Sequence, residues 1–216
     1  MPKQGPARRT AGSPETRAAI LRAAEHIFAE QGLAGARTDA IAAAAGVNKA
    51  LIYYYFKSKD ALYLAVVEEH LKDFSQQALA LLSSDEGVKD KVLHYVSMHF
   101  DFIAARPDYP RLLQRFMMAG ERPLMQVRRK YFAPVARKFQ AVIRQGARSG
   151  ELCASDSAHT TLSLVALTVF YFSAAPVLKV VGFKDPYGKA QLARRKKEVL
   201  NFVRRALFKD RGTGSA

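Results

Sequence analysis

Apolar residues recur along most of this chain at intervals of three and four, the spacing that lines one face of an α-helix. The first such run is Ile20, Ala24, Ile27 and Phe28. Ser13 and Pro14 precede it as cap and first-turn proline, and Gly32 stops it. Thr38 is placed to cap a short second helix with Ile41 and Ala45 inward, closed by Gly46. Asn48 caps a third helix ending near Phe56, and Ser58 a fourth whose inward face is Leu62, Val66, His70 and Phe74.

The same period continues beyond the polar break at residues 83–87. Residues 88–105 place Val88, Val92, Tyr95, Val96, His99, Phe102 and Ile103 on one helical face, and Pro107 and Pro110 end it. A shorter helix carries Leu112, Leu113, Phe116 and Met117. A long one over residues 123–146 carries Leu124, Val127, Tyr131, Val135 and Val142, with Pro134 as a point of kinking. Residues 157–181 are apolar on nearly every side, and a last amphipathic helix bears Leu192, Val199, Val203 and Leu207. No strand-like alternation and no internal repeat is present, so the fold class is all-α.

A short helix, a tight turn and a second helix with an exposed face are the parts of a helix-turn-helix, and residues 37–56 supply each. Gly46 stands where the chain must turn, because a residue without Cβ tolerates the left-handed conformation of a sharp corner. Val47 is placed to plug a small core with Ile41 and Phe28. Lys49, Ala50, Leu51, Tyr53 and Tyr54 then occupy the first turns of the following helix, where they can reach DNA. Tyr55 and Phe56 are read as core.

The run from Gly46 through Val47, Asn48, Lys49, Ala50, Leu51, Ile52, Tyr53, Tyr54, Tyr55, Phe56, Lys57, Ser58, Lys59, Asp60 and Ala61 to Leu62 resembles the recognition-helix signature of the TetR family of repressors. Ala24, Phe28 and Gly32 upstream, and residues 38–42, match the same pattern. The resemblance covers residues 14–70. It implies that Thr38 and Lys59 grip phosphates and that Lys49, Ala50, Leu51, Tyr53 and Tyr54 face the groove, with Arg37 and Asn48 beside them. Ala50 and Leu51 depart from the Gly or Thr frequent in the family. Leu51 can touch a thymine methyl but cannot hydrogen-bond a base edge, which leaves the operator sequence open.

The resemblance also implies the domain plan: a basic arm over residues 1–13, a three-helix DNA-binding domain over 14–60, a larger helical effector-binding and dimerisation domain over 61–210, and a disordered tail over 211–216. In the family the last two long helices pair with their twofold mates. A homodimer sets two recognition helices about one DNA turn apart, so a palindromic operator follows. Candidate effector contacts are Tyr95, Met98, His99, Phe102, Phe116, Met117, Tyr131, Phe139, Tyr171 and Phe172, each of which can equally be ordinary core. His99 is the polar group on an apolar face, and a hydrogen-bonded core histidine is the plainer reading of it. Repression fits best, with activation left open.

Charge changes the picture less than its size promises. The 216 residues carry a formal net charge of +15, which points to a polyanionic partner. Residues 1–60 contribute only +4 and residues 61–105 contribute −4, whereas 106–149 carry +9 and 184–209 carry +7. Most of the excess thus lies outside the helix-turn-helix. The basic stretch 106–149 is either an attractor for an anionic effector, such as an acyl thioester or fatty acid, or a solvated face. Lys3, Arg8 and Arg9 form an arm that either enters a minor groove or only solubilises the chain.

Other functions find little footing. No nucleophile with a base, carboxylate pair or phosphate-cradling glycine loop has usable spacing, so an enzyme is not expected. His94 and His99 are five apart and do not share a helix face, which disfavours a metal site, and no cofactor is expected. Cys153, the single cysteine, fits a reducing cytoplasm. No secretory signal is apparent, and the apolar run 162–178 is too short and too interrupted to span a bilayer. The rival to a regulator is a scaffold that binds nucleic acid without regard to sequence through its dispersed basic surface.

Overall fold

The computed structural model describes residues 13–118, 122–153 and 156–208. Its helices are α1 (Pro14–Gly35), α2 (Thr38–Ala45), α3 (Lys49–Phe56), α4 (Lys59–Ser83), α5 (Val88–Ala104), α6 (Tyr109–Met118), α7 (Arg122–Arg148), α8 (Ser157–Ser173), α9 (Ala175–Val180) and α10 (Lys189–Leu207). One isolated antiparallel bridge, Leu152 with Phe208, is the only β pairing among the described residues. The basic arm with Lys3, Arg8 and Arg9 and the tail at 211–216 lie outside them.

Two compact units emerge, one of residues up to 71 together with 108–127, the other of 72–107 and 128 onward. The expected cut after residue 60 does not coincide with this division, which runs through α4 and α7 and counts α6 with the N-terminal unit.

The N-terminal unit buries Ile20, Ala24, Phe28, Ile41, Ile52, Leu62 and Phe116 completely. Phe28 meets Tyr63 edge to face at 5.1 Å. Each of the isoleucine, leucine and phenylalanine side chains stabilises the unit by about 1.5–3 kcal/mol through its removal from water. Ser13 caps α1, its Oγ accepting the Thr16 amide at 3.1 Å. The regular path of α1 ends at Gly32, whose φ of 70° and ψ of 177° belong to a region open essentially to glycine alone. Arg115 of α6 closes that end, donating to the carbonyls of Ala29 at 3.3 Å and Glu30 at 3.0 Å. A Cβ on residue 32 would stand 2.7 Å from the Arg115 Nη1. Pro110 does not lie in a loop after α5: it sits in the first turn of α6, where its missing amide costs no intrahelical bond.

In the second unit α5, α8 and α10 pack together. Phe100 and Ile103 of α5, Leu164 of α8, Val199 and Val203 of α10, and Phe139 and Ile143 of α7 are buried. Helix α7 continues through Pro134. The apolar segment 157–181 is not one helix. It breaks at Ala174 (φ −98°, ψ 15°) into α8 and α9, because Pro176 has no amide with which to extend α8. Inside this unit the His99 Nδ1 lies 2.7 Å from the Thr168 Oγ1, which itself donates to the Val165 carbonyl at 2.8 Å. One hydroxyl carries one proton, so His99 is the donor here, through Nδ1–H. Burial holds its pKa down at about 4.

Replacing Gly32 with Ala is expected to destabilise the protein by about 1–3 kcal/mol in urea unfolding, from the disfavoured backbone and the displaced Arg115; an unchanged midpoint would mean that the turn is not under this constraint. His99 generates a second expectation. Between about pH 6.5 and 4 the unfolded chain binds a proton at residue 99 that the folded chain does not, so its contribution is intact above pH 6.5 and is lost as the pH falls toward 4. The loss approaches roughly 3 kcal/mol. Exposed His26, raised by its hydrogen bond to Asp108, acts in the opposite sense. Comparing the pH dependence of unfolding with that of His99→Gln isolates the term, and superimposable slopes would rule it out.

Candidate nucleic-acid interface

The turn between α2 and α3 is built from backbone hydrogen bonds. Gly46 takes the left-handed conformation (φ 66°, ψ 37°). Its amide donates to the Ala43 carbonyl at 3.1 Å, and that of Val47 to Ala42 at 3.0 Å, the paired arrangement that closes a helix on a left-handed residue. Asn48 then caps α3, its Oδ1 accepting the Ala50 amide at 2.9 Å. Ser58 caps α4 through the Ala61 amide at 3.0 Å. Thr38 is not a cap. It is the first helical residue of α2, and extended Arg37 precedes it with no side-chain bond, its carbonyl accepting the Ile41 amide at 3.1 Å.

Ile52 and Phe56 turn α3 toward the core, as a spacing of four requires. On its open face Lys49 and Ala50 are exposed and Leu51 is half-buried. Tyr53 and Tyr54 remain 42% and 58% exposed. Large aromatic rings left in water on a capped helix are costly unless a partner covers them. Tyr55 turns away and donates its hydroxyl proton to the Ser13 carbonyl at 3.1 Å, fixing α3 to the start of α1. Lys57 ends α3 at a φ of 65° and a ψ of −37°, a positive-φ conformation held without glycine.

The basic residues divide into two kinds. Arg37 is exposed. The Lys49 ammonium reaches Asp39 of α2 at 3.0 Å, both side chains being largely in water; such a pair is worth about 0–1 kcal/mol, so phosphate can displace the carboxylate readily. Lys59 is placed differently. Its ammonium donates to the carbonyls of Ala36 at 3.0 Å and Ala34 at 3.4 Å, which leaves it fewer free protons than a solvated lysine. Asp39 and Arg115 both shape this face or its support and were not singled out from the sequence. Asp39 lies at helical distance from nothing diagnostic, and Arg115 is 86 residues from the Ala29 carbonyl it holds.

The ten residues singled out for an effector do not form one set. In the second unit Tyr95, His99, Phe102 and Phe139 are buried around Phe74, with the Tyr95 and Phe139 rings 4.0 Å apart. Phe74 also lies 5.0 Å from His99 and 5.2 Å from Phe102. Burial pushes the Tyr95 hydroxyl well above its usual pKa. Tyr171 and Phe172 pack against Phe100, and Tyr131 is buried on α7. Met98 lines an open groove of about 510 Å³ with Gln77, His94, Ser97, Asp101, Phe102 and Arg106. Phe116 and Met117 belong to the other unit. Phe116 is core there, whereas Met117 is 57% exposed because it lies about 100° round α6 from Phe116. No group of three His, Cys, Asp or Glu side chains among the described residues could hold a metal. Cys153 is exposed. Among the described residues no helix is long and apolar enough to cross a membrane.

Comparison with known proteins places this geometry in a family. Residues 20–66 match the model for bacterial regulatory proteins of the tetR family, and residues 89–203 match that for the tetracyclin repressor-like C-terminal domain. The HTH-type transcriptional regulator RutR of Escherichia coli is 31% identical over 163 residues, 76% of each chain. The HTH-type transcriptional repressor SCO4008 of Streptomyces coelicolor is 34% identical over 173 residues, 78% of this chain and 84% of the other. In fold, the Bacillus subtilis regulator FadR, solved in complex with stearoyl-CoA, superposes with a TM-score of 0.68 at 20% identity, covering 86% of this chain and 96% of that one. With both its reading head and its helical C-terminal unit matched, the chain belongs to the TetR family of transcriptional regulators and is not an enzyme.

Proposed function

We propose that the protein represses transcription by binding a palindromic operator as a homodimer, and that a small lipophilic effector releases it. The observation that carries the reading is the open face of α3, where Tyr53 and Tyr54 stand exposed beside Lys49 and Ala50 at a helix start fixed by Asn48. Lys49, Tyr53 and Tyr54 supply the polar contacts, Leu51 an apolar one. Arg37, the Thr38 hydroxyl and any proton left on Lys59 serve phosphates, which position the protein without reading sequence. As a regulator of the bacterial tetR family, the chain meets its operator in the cytoplasm, where bacterial DNA lies.

Dimerisation draws support from α8. Its buried face holds Thr161, Leu164, Thr168 and Phe172, whereas Leu162, Ala166 and Phe170 recur at four-residue spacing on the opposite side. Leu162 is 65% and Phe170 70% exposed, and Phe202 of α10 is also open. Contiguous apolar surface of this kind marks an interaction site. The aromatic core of the second unit supports an apolar effector, and the FadR structure was solved with stearoyl-CoA.

In vitro selection is expected to return a palindrome. Tyr53→Ala should weaken binding to it by about tenfold or more, in line with about 1–3 kcal/mol for a good contact, while binding to random duplex stays level. Equal losses on both duplexes would favour the sequence-indifferent scaffold instead. For the effector, a panel of fatty acids, acyl thioesters and neutral lipophiles is tested by thermal shift and by release of the selected operator. A true effector present at a hundred times its Kd stabilises the protein by about 2.7 kcal/mol. A panel with no member that both stabilises and releases would remove the lipophilic class.

A further inference from the structure

Helix α7 has no acidic residue over its whole length, Arg122–Arg148. In the second unit its core face is Tyr131, Val135, Phe139 and Val142, all buried. At about 100° per residue, Arg129, Arg137, Arg144 and Arg148 fall within about 100° of one another on the side facing away from that core. All four are exposed. None is paired with a carboxylate among the described residues, and Arg144 makes its one bond to the neutral Ser157 Oγ at 3.2 Å. At a rise of about 1.5 Å per residue the ridge extends about 28 Å.

Arg144 and Arg148, four apart, are like charges at a spacing where helix neighbours repel, and α7 carries none of the interspersed carboxylates that usually relieve a solvated helix face. The ridge strings four guanidinium groups along one side of the helix, an arrangement that matches an extended anion better than a compact one. No large apolar side chain is exposed along residues 126–148, so it lacks the apolar anchors of a membrane-surface helix. A long linear polyanion fits it: phosphates recur along a duplex, and guanidinium matches phosphate through paired N–H donors.

We propose that the α7 ridge of Arg129, Arg137, Arg144 and Arg148 binds the phosphate backbone of duplex DNA without regard to sequence, as a second surface in addition to the reading face of α3. It stands independently of the operator reading, since none of these residues belongs to α3. Such a surface would raise the local concentration of DNA around the dimer, or hold a second duplex while the reading heads are engaged.

The experiment begins with full-length protein whose reading face is disabled by Lys49→Ala, Tyr53→Ala and Tyr54→Ala. Binding to a random duplex is followed by fluorescence anisotropy from 50 to 200 mM salt. Retained binding is expected, with a log–log salt slope of about −3 to −4, near 0.9 for each phosphate contact. Adding R129Q, R137Q, R144Q and R148Q should lower affinity at least tenfold and flatten the slope by about 3, and four lysines in place of glutamines should restore most of it. Circular dichroism melts confirm that each variant folds. A slope that changes by less than one on neutralising the ridge overturns the proposal, as does the absence of random-duplex binding before the ridge is touched. Loss of binding to polyglutamate with unchanged DNA binding would also overturn it, assigning the ridge to an acidic polypeptide.

Discussion

The N-terminal unit depends on how α1 ends. Its carbonyls at residues 29–36 form the negative end of a helix that must stop so that α2 and α3 can follow at an angle. Gly32 stops it by entering backbone space closed to other residues, and two cations then satisfy what is left: Arg115 from α6 takes Ala29 and Glu30, and Lys59 from α4 takes Ala34 and Ala36. At the far end the Tyr55 hydroxyl holds the Ser13 carbonyl. Helix α1 is therefore a frame fastened at both ends, and the orientation of α3 follows from it. The basic residues nearest the reading head are partly engaged in building it.

This arrangement separates what the sequence displays from what it conceals. Caps and turns act within three or four residues, so Ser13, Gly46, Asn48 and Ser58 could be read directly, and the helical period exposed the inward faces of α3 and α5. Thr38 falls one position inside α2, because extended Arg37 occupies the cap position without any side-chain bond. Contacts that span the chain left no local trace. Nothing near Arg115 announces that it belongs to Gly32, and nothing near Lys59 distinguishes a phosphate ligand from a carbonyl ligand. The break at Ala174 was obscured by uniform apolarity, which hides the period that marks where one helix gives way to another. Met117 was miscast for a related reason, since methionine at the edge of a helical face carries no polarity to show which way it points.

Net charge carried the least information about the site. The reading helix holds only Lys49 at its start and no acidic residue, and Lys49 is countered by Asp39. In the proposed complex, attraction for DNA at this face rests on the partial positive charge of amides at the start of α3 and on tyrosine hydroxyls, both short-ranged and directional. Most of the positive charge lies instead in residues 106–149 and 184–209; such long-range charge is screened by salt, whereas short directional contacts answer to geometry.

The interior of the second unit applies the complementary constraint. Among the described residues its buried polar side chains are Ser75, His99, Thr161 and Thr168, with no carboxylate or ammonium. The Thr161 Oγ1 is buried without a hydrogen-bond partner, which leaves one hydroxyl with unmet capacity on the inward face of α8. His99 stays neutral because burial disfavours its cation. A charged group entering this core would meet hydroxyls, an imidazole and aromatic rings, too little to replace its hydration. The interior therefore suits an apolar or aromatic body and excludes an ionised one.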